Sequence, residues 1–558
     1  MRKITVSVKR EEITVQAFST AKEILIKAGE LSDKDLSYEN NPVVGVIING
    51  ELNPVGAPVA MSCEVKPVRA FDDFGRRIYR HSICYLLSYA ATNVLPKRHL
   101  VIGHSLGDGF YFNFNDNKTI SDEEIDLLIS EMKKIVAAAL DIDYVTLTSQ
   151  DARKMLSAQG YDDAVLLIKS MNRPSVNMYK VCDYYNIAFE PILWNTAMLG
   201  VWELRKYSDH GMLLRYPVKS KVQGIDSFKD NDKLFEVFEE NRAWERLLGV
   251  RCVGEMNGRC ADGTVEQYVR LSEILQRRKM AMIADDIHRR GAKAVFIAGP
   301  SSSGKTTFAK RLCEQLLLLG HAPIRISLDD YYKRPGEAPL DEEGNPDLES
   351  IEALNVELFE KNMDDLFSGK EVDLPHFSFK TKDTYYLNKP IKMKAETIFV
   401  IEGLHGLNPK FTSKIDQKYV FKVYISALTG LNMDDCNRVS TTDDRMLRRI
   451  LRDHLTRNTS AEETLLMWPS VSRGERKHIF PNQNNADVMF SSALDYELGV
   501  LSPFVTPLLH GVSPQSGEAY THAQRLLAFL ENIYAIQPSV VPPDSLLREF
   551  IGGSVYED

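Results

Sequence analysis

The chain has 558 residues, a length that exceeds one compact domain and predicts about three. Hydrophobic residues make up 44% of it and charged residues 26%, which is the composition of an ordinary globular protein. The formal net charge of −9 argues against bulk affinity for nucleic acid, although it leaves room for a local basic cleft.

The cysteines and the apolar segments bear on the compartment. The seven cysteines are widely spaced and include no C-x-x-C pair, a pattern typical of neither a disulfide framework nor a zinc site and suited to a reducing cytosol. The N-terminal segment alternates polar and apolar residues and lacks an apolar core of signal-peptide length. No window approaches ~18 uninterrupted apolar residues. We therefore expect a cytoplasmic protein that does not enter a membrane.

Residues 1–68 have the pattern of a small β-rich unit. Apolar and polar residues alternate near the start, and a helical stretch follows over residues 19–28. Two further short strands are predicted at 43–48 and 64–67, with an Asn-Gly turn signal after the first. A hairpin, a helix and then more strands predict a β-grasp domain.

Residues 69–223 read as an α+β domain. A helical run covers 76–91, and short strands follow near 100–102 and 110–114. Ser121 and Glu124 form a capping-box pattern that opens the next helix. Residues 224–291 are strongly helical in pattern and highly charged, which predicts a helical connector.

From Ala292 onward, apolar strand-like runs alternate with amphipathic helices. This order is typical of βαβ units and predicts a parallel sheet with helices on both faces. We assign the domain to 292–540 and treat 541–558 as a C-terminal tail.

The strongest motif is a phosphate-binding loop between an apolar strand and a helix, in the order that a G-x-x-x-x-G-K-[ST] match requires. The predicted ATP-binding residues are Gly299, Pro300, Ser301, Ser302, Ser303, Gly304, Lys305, Thr306 and Thr307. Loop amides and the following helix N-terminus form a nest for phosphate oxygens. Lys305 would reach the terminal phosphates of ATP, and the Thr306 hydroxyl would bind Mg²⁺.

Acidic residues follow two later strands of the predicted sheet. The strand 324–328 ends in Asp329 and Asp330, at the edge where α/β sheets place ligands. Asp329 is the candidate that accepts a proton from an attacking hydroxyl, and Asp330 is the competitor, because neighbouring side chains on a strand point to opposite faces. The strand 397–401 ends in Glu402, either a magnesium partner or a helix-capping carboxylate.

A basic helix follows over residues 444–457. Its arginines Arg445, Arg448, Arg449 and Arg452 recur at helical spacing. Such a stripe is either a solvated face or a lid that clamps phosphates, and its place after the nucleotide-binding core favours the lid.

These segments together resemble the uridine kinase and phosphoribulokinase family over about residues 290–535. The resemblance is carried by GPSSSGKTT, SLDDYYK, VIEGLHGL and RRILRD in that order. It implies a Mg·ATP-dependent kinase in which Asp329 activates the substrate hydroxyl and Glu402 contacts magnesium. It also implies that Asp347 contacts a substrate ribose and that Arg449, with Arg452 close by, acts from the lid.

The sequence departs from that family where a pyrimidine base would be held. Phe377 and Lys382 stand at the positions of a tyrosine and a histidine, and Thr459 stands where a second lid arginine is expected. The acceptor is therefore expected to be a nucleoside or a related sugar, and uridine itself is not established.

The first 220 residues resemble the N-terminal region of threonyl-tRNA synthetase, with its TGS domain and editing domain. The resemblance is carried by the helix at 76–91 and by IGHSLGDGFYF. His81 is retained, but Tyr85, Ala188 and Ile192 stand where the resemblance places a second histidine, a cysteine and another histidine. These side chains cannot replace imidazole or thiolate, so we expect no hydrolysis of aminoacyl-tRNA.

Some roles of this half stay open. His81 alone fits a buried helix residue better than a catalyst, and His104 lies in a turn that could be functional. Contact with tRNA or other RNA lacks a supporting basic or aromatic pattern. The alternative to the kinase is therefore a nucleotide-dependent regulator or RNA-binding protein. The oligomeric state is not legible from the sequence.

Overall fold

The computed structural model describes residues 2–32, 36–217, 225, 228, 230–340, 344, 347–378, 381 and 383–556. The first unit is a mixed sheet in the order β2-β1-β7-β4-β5, in which β1 and β7 are parallel. The alternation seen in the sequence places Ile4, Val6 and Val8 on its buried face. The elements are β1 (Lys3–Val8), β2 (Glu11–Gln16), β3 (Ser19–Thr20), α1 (Ala21–Lys27), β4 (Val43–Ile48), β5 (Glu51–Asn53), β6 (Pro58–Val59) and β7 (Cys63–Arg69).

The second unit packs helices against two antiparallel sheets, β10-β11-β12 and β13-β14-β9-β8. Ser121 and Glu124 form the capping box at the start of α3 that the sequence predicts. The elements are α2 (Asp73–Val94), β8 (Leu100–Leu106), β9 (Gly109–Phe114), α3 (Asp122–Ala137), β10 (Asp143–Thr148), α4 (Ser149–Ala158), α5 (Asp162–Met171), β11 (Ser175–Val181), β12 (Tyr184–Ile187), β13 (Glu203–Ser208) and β14 (Gly211–Arg215).

Three helices follow, α6 (Asp232–Leu248), α7 (Val253–Ala261) and α8 (Val265–Arg290). They lead into a fully parallel sheet in the order β16-β21-β15-β22-β25, with apolar clusters on both faces. The first elements of this unit are β15 (Ala294–Ala298), α9 (Lys305–Leu318), β16 (Ala322–Ser327), α10 (Val356–Phe367), β17 (Glu371–Val372), β18 (Pro375–Ser378), β19 (Asp383–Tyr386), β20 (Ile391–Lys392), β21 (Thr397–Glu402) and α11 (Pro409–Thr412).

The unit ends with a bundle of helices around the last strand of the sheet. Its elements are β22 (Val420–Ser426), β23 (Asn432–Asp434), β24 (Asn437–Arg438), α12 (Thr441–Arg457), α13 (Ala461–Gly474), a π-helical turn (Glu475–Ile479), β25 (Val488–Ser491), α14 (Glu497–His510), α15 (Glu518–Leu530) and α16 (Arg548–Ile551). Among the described residues, no helix is both long enough and apolar enough to cross a membrane.

A short hairpin of the C-terminal unit, residues 432–438 (the docking hairpin), inserts into the second unit. The Ile102 amide donates a hydrogen bond to the Asp435 carbonyl at 2.9 Å, and the Asn432 side chain donates to the Ile102 carbonyl at 2.8 Å. Asn437 donates to Asn186 at 3.0 Å. These paired polar contacts fix the hairpin in one register against β8 and β12.

A buried ion network joins the same two units at the start of α12. Arg77 of α2 and Arg525 of α15 both contact the carboxylates of Glu190 and Asp443, at 2.7 to 3.3 Å. Burial alone would raise the pKa of Glu190, but the two guanidinium groups outweigh it and lower that pKa to about 2. Each charge is therefore matched, and loss of one partner would leave a buried charge uncompensated.

We expect Asp443→Asn to lower the free energy of unfolding by about 3–5 kcal/mol, because it leaves Arg77 and Arg525 short of a buried carboxylate. Chemical denaturation followed by circular dichroism measures this. Because the pKa of Glu190 is lowered in the folded state, this carboxylate stabilises the fold fully above pH about 4.5. Its contribution is lost as the pH falls towards about 2. Asp416→Asn, which removes an exposed partner of Lys418, should leave the midpoint of chemical denaturation unchanged. Equal effects of the two substitutions would contradict the network.

Candidate active site

The loop at residues 299–306 connects β15 to α9, and its backbone conformation restricts which residues can occupy several of its positions. Ser302 and Gly304 have positive φ values of 57° and 81°. A Cβ on Gly299 would lie 1.9 Å from the Ile425 carbonyl oxygen, so only glycine fits there. Within the described part of the chain, the buried hydroxyls of Ser302 and Ser303 have no hydrogen-bond partner. The loop therefore offers a narrow polar cradle of the kind that binds phosphate oxygens.

Lys305 and Glu402 lie at the base of this cradle. The Lys305 ammonium donates to the Pro300 carbonyl at 3.0 Å, and the Thr306 hydroxyl donates to Glu402 at 3.3 Å. Burial and then the charge of Asp329 raise the pKa of Glu402 to about 7. Burial lowers the pKa of Lys305, opposed by the charges of Glu402 and Asp329. Lys305, Glu402 and Asp329 therefore lie close enough for their charges to shift one another's pKa.

Asp329 and Asp330 point in different directions, as the sequence predicts, but for another reason. The strand β16 ends at Ser327, and Leu328–Tyr331 form a 3₁₀ turn. Burial raises the pKa of Asp329, opposed by the charges of Lys305, Arg457 and Arg452. Asp330 instead accepts a hydrogen bond from the Phe377 amide at 3.1 Å. Asp329 thus faces the cations of the loop and α12, and Asp330 faces β18.

Two arginines of α12 approach the loop from above. Arg449 donates to the Ser301 hydroxyl at 2.8 Å, and Arg452 donates to the same oxygen at 3.4 Å. Burial, and then repulsion from Arg457 and Arg449, lowers the pKa of Arg452 to about 10. These guanidinium groups repel one another beside the phosphate-binding loop, and a bound anion such as phosphate would reduce that repulsion.

The other two arginines of the predicted stripe have a different place. Arg445 and Arg448 are 4% and 1% exposed and form buried ion pairs with Glu475 and Glu497. Arg445 also donates to the Ser301 carbonyl at 3.0 Å. The sequence could not separate them from Arg449 and Arg452, because their carboxylate partners lie 30 and 49 residues further along the chain. They fix the loop and the helix to each other from within the core.

Two of the residues predicted to contact an acceptor, Asp347 and Phe377, lie within the described part of the chain. The Asp347 carboxylate lies 3.7 Å from His478 Nε2, and the Phe377 ring lies 6.0 Å from the Tyr332 ring. Lys382 lies outside the described residues. The structure therefore brings the loop, Asp329, Glu402, Arg449 and Arg452 together, with Asp347 and Phe377 on separate flanking segments.

Three further groups were not identified from the sequence. Glu475 accepts a hydrogen bond from the Ser301 amide at 2.8 Å, so a carboxylate already occupies one donor of the loop. Burial and then the charge of Glu475 raise the pKa of Glu349 to about 7. Burial lowers the pKa of His405 to about 4. His405 lies within the VIEGLHGL segment, so the sequence offered a signal for it. Neither Glu349 nor Glu475 belongs to a recognisable motif.

The donor set suits a magnesium nucleotide. Mg²⁺ prefers oxygen ligands, which the Thr306 hydroxyl and the Glu402 carboxylate provide in one place. The left-handed backbone at Ser302 and Gly304 and the absence of a side chain at Gly299 provide the cradle for phosphates. The residues present therefore fit both ATP and Mg²⁺.

The second unit keeps one of the four polar groups that the resemblance to an editing domain predicts. Burial lowers the pKa of His81 to about 4, and Tyr85 and Ile192 are buried within the apolar core of this half. Cys436 of the docking hairpin packs against that core. His104 is 5% exposed, its Nδ1 lies 2.7 Å from the Ser105 carbonyl oxygen, and its Nε2 lies 3.4 Å from the Thr441 hydroxyl of α12. The second unit thus contacts the arginine-bearing helix.

Comparison with known proteins separates the two halves. Residues 294–498 match the model of the Phosphoribulokinase / Uridine kinase family. The N-terminal region is similar to threonine–tRNA ligases. That of Carboxydothermus hydrogenoformans is 28% identical over 158 residues, which are 28% of this chain and 25% of that one. That of Thermotoga petrophila is 28% identical over 216 residues, or 37% and 33%. The chain therefore spans about a quarter to a third of the length of these relatives.

One solved structure, described as a possible uridine kinase from Bacillus stearothermophilus, superposes with a TM-score of 0.27 at 18% identity. It covers 39% of this chain and all of the other.

Proposed function

We propose that this protein is a kinase that transfers a phosphoryl group from Mg·ATP to a hydroxyl of a small substrate. The observation that carries the proposal is the position of the buried Glu402 and the half-buried Asp329 beside Lys305 at the phosphate-binding loop. A protein that only holds a nucleotide needs the loop and the lysine, but it has no use for a proton acceptor beside them. The match of residues 294–498 to a family of kinases supports the same conclusion.

The proposed roles follow from the contacts. Lys305 and the loop amides hold the phosphates, and Thr306 and Glu402 hold Mg²⁺, which supplies positive charge where the phosphates carry negative charge. Asp329 takes the proton from the attacking hydroxyl, and its burial makes it a stronger proton acceptor than an exposed carboxylate. Arg449 and Arg452 neutralise charge on the transferred group.

The acceptor that we propose is a nucleoside or a related sugar. Asp347 can accept hydrogen bonds from ribose hydroxyls, and the Phe377 ring beside Tyr332 offers an aromatic surface for a base. Lys382 keeps its assignment to this pocket on the sequence alone. Phe377 and Lys382 differ from the tyrosine and histidine that uridine kinases carry at these positions, so these two residues do not specify the base.

A coupled assay of ADP release tests the proposal across nucleosides, ribulose 5-phosphate and related sugars. We expect one class of hydroxyl-bearing acceptor to raise ADP release well above the rate without acceptor. Rates confined to ribulose 5-phosphate would replace the nucleoside by a sugar phosphate. No stimulation by any acceptor in the screen would overturn the kinase.

Glu402→Gln should raise the Mg²⁺ concentration needed for half-maximal activity by about tenfold, because a neutral amide replaces an anionic ligand. The measurement is ADP release against Mg²⁺ at saturating ATP. Glu396→Gln removes the same charge from an exposed position just before β21 and should behave as wild type. An unchanged magnesium requirement in Glu402→Gln would refute the assignment of this ligand.

The alternative is a nucleotide-dependent regulator, and one observation favours it. The second unit contacts α12 through Arg77 at Asp443 and through His104 at Thr441. Helix α12 therefore connects the nucleotide site physically to the synthetase-like half. Co-purification of RNA together with no phosphorylation of any acceptor would favour this alternative. The replacement of three editing residues by Tyr85, Ala188 and Ile192 gives no support to hydrolysis of aminoacyl-tRNA.

A further inference from the structure

Three side chains from distant parts of the chain meet where the docking hairpin enters the second unit. His99 precedes β8, Asp163 lies in the first turn of α5, and Asp435 lies at the tip of the docking hairpin. His99 Nε2 and one Asp435 oxygen are 2.9 Å apart, and one ligand atom from each of the three residues lies within 4.8 Å of the others. We call this set the junction triad.

The hydrogen bonding of the junction triad is incomplete. Asp163 is 7% exposed, and one of its oxygens accepts from the Asp435 amide. Its other oxygen, Oδ1, is buried and has no hydrogen-bond partner within the described part of the chain. A buried carboxylate oxygen without a partner is costly unless a cation or a donor completes it.

The surroundings leave the triad available. Asp434, next to it, already accepts hydrogen bonds from the Cys436 and Asn437 amides at 2.9 and 2.8 Å, which shapes the turn that presents Asp435. The nearby Arg251 guanidinium is paired with Glu255 at 3.1 Å. Asp435 also lines a cleft of about 100 Å³ between the two halves, which has room for water molecules.

We propose that His99, Asp163 and Asp435 bind a divalent metal ion. One imidazole nitrogen and two carboxylate oxygens form a mixed ligand set, which suits Zn²⁺ or Mn²⁺ better than the all-oxygen sites of Mg²⁺ and Ca²⁺. Two anionic ligands balance the charge of the ion, and water from the cleft completes its coordination. Asp163 Oδ1 gains the partner that it lacks.

The site would be structural, because its ligands come from the two halves and none of them is a residue of the proposed nucleotide site. His99 and Asp163 belong to the second unit and Asp435 to the C-terminal unit, so the ion would hold the docking hairpin in place. A ligand that binds only the folded state stabilises it in proportion to the logarithm of its concentration. Metal binding should therefore raise the temperature of unfolding.

The test uses the full chain, freed of metal by a chelator and kept in excess Mg²⁺ so that the nucleotide site does not compete. We expect calorimetric titration with Zn²⁺ or Mn²⁺ to give one equivalent bound and a higher unfolding midpoint. Asp163→Asn and His99→Gln should each weaken that binding by more than tenfold. Glu402→Gln should keep the full equivalent, so a failure of the proposed kinase site would be distinguishable.

Asp162→Asn is the matched control, since it removes the same charge from the exposed neighbouring residue without removing a ligand. It should bind the metal as wild type does. Mn²⁺ also allows a spectroscopic readout, because its electron paramagnetic resonance spectrum changes when protein ligands replace water. Absence of a bound equivalent, or equal affinity in wild type and Asp163→Asn, would mean that the three residues form only a histidine–carboxylate ion triad and would overturn the proposal.

Discussion

Asp329→Asn should lower turnover by about 10²–10⁴-fold, the contribution that a positioned general base makes to proton transfer. The amide keeps the size of the side chain and its place above Lys305, but it cannot accept the proton of the attacking hydroxyl. ATP binding should change little, because the loop and Lys305 are untouched. The measurements are the steady-state rate of ADP release and the ATP affinity by calorimetry.

Asp330→Asn is the matched control for this substitution. Its side-chain oxygen can still accept the hydrogen bond from the Phe377 amide, so we expect a rate close to wild type. A near-normal rate in Asp329→Asn, or a larger loss in Asp330→Asn, would transfer the role of base to another group.

Gly299→Ala should reduce nucleotide binding and turnover on the order of 100-fold, because misplacement of a positioning group by about 1 Å has effects of that size. The new Cβ would lie 1.9 Å from the Ile425 carbonyl and 2.9 Å from the Ser303 hydroxyl, so the loop backbone must move away from β22. Equilibrium binding of ATP and ADP release both report the displacement.

Gly258→Ala separates this clash from the general effect of adding a methyl group. Gly258 lies in α7, and a Cβ added there would meet no atom within 4 Å, so alanine should be neutral or stabilising by about 0.5–1 kcal/mol. If Gly299→Ala binds ATP as tightly as Gly258→Ala does, the close approach of the loop to β22 has no functional meaning.

The local features of the nucleotide site could be read from the sequence. The strand, the glycine-rich turn and the helix at 294–318 form a continuous pattern, so the loop and its place at the end of β15 follow from nearby residues alone. The same holds for Glu402, which closes an uninterrupted apolar strand. The fold of both halves follows from such patterns together with the resemblance to known families.

The remaining contacts could not be predicted, because each joins residues far apart in the chain. Arg448 has the same helical spacing as Arg449 and Arg452, but it is held in the core by Ser492 and Glu497, which lie 44 and 49 residues later. Glu475 belongs to a π-helical turn with no motif. The docking hairpin has no periodic pattern, and its seat beside Ile102 lies about 330 residues earlier.

This separation gives the docking hairpin a consequence for how the chain is made. Ribosomal synthesis proceeds from the N-terminus at about 5–20 residues per second, and domains generally fold as they emerge. The surface around Ile102 and Asn186 is therefore complete before Asn432 and Asn437 leave the ribosome. The synthetase-like half then serves as a ready-made template on which the segment leading into α12 takes its shape. We expect the C-terminal half, expressed without that template, to fold more slowly and to aggregate more readily.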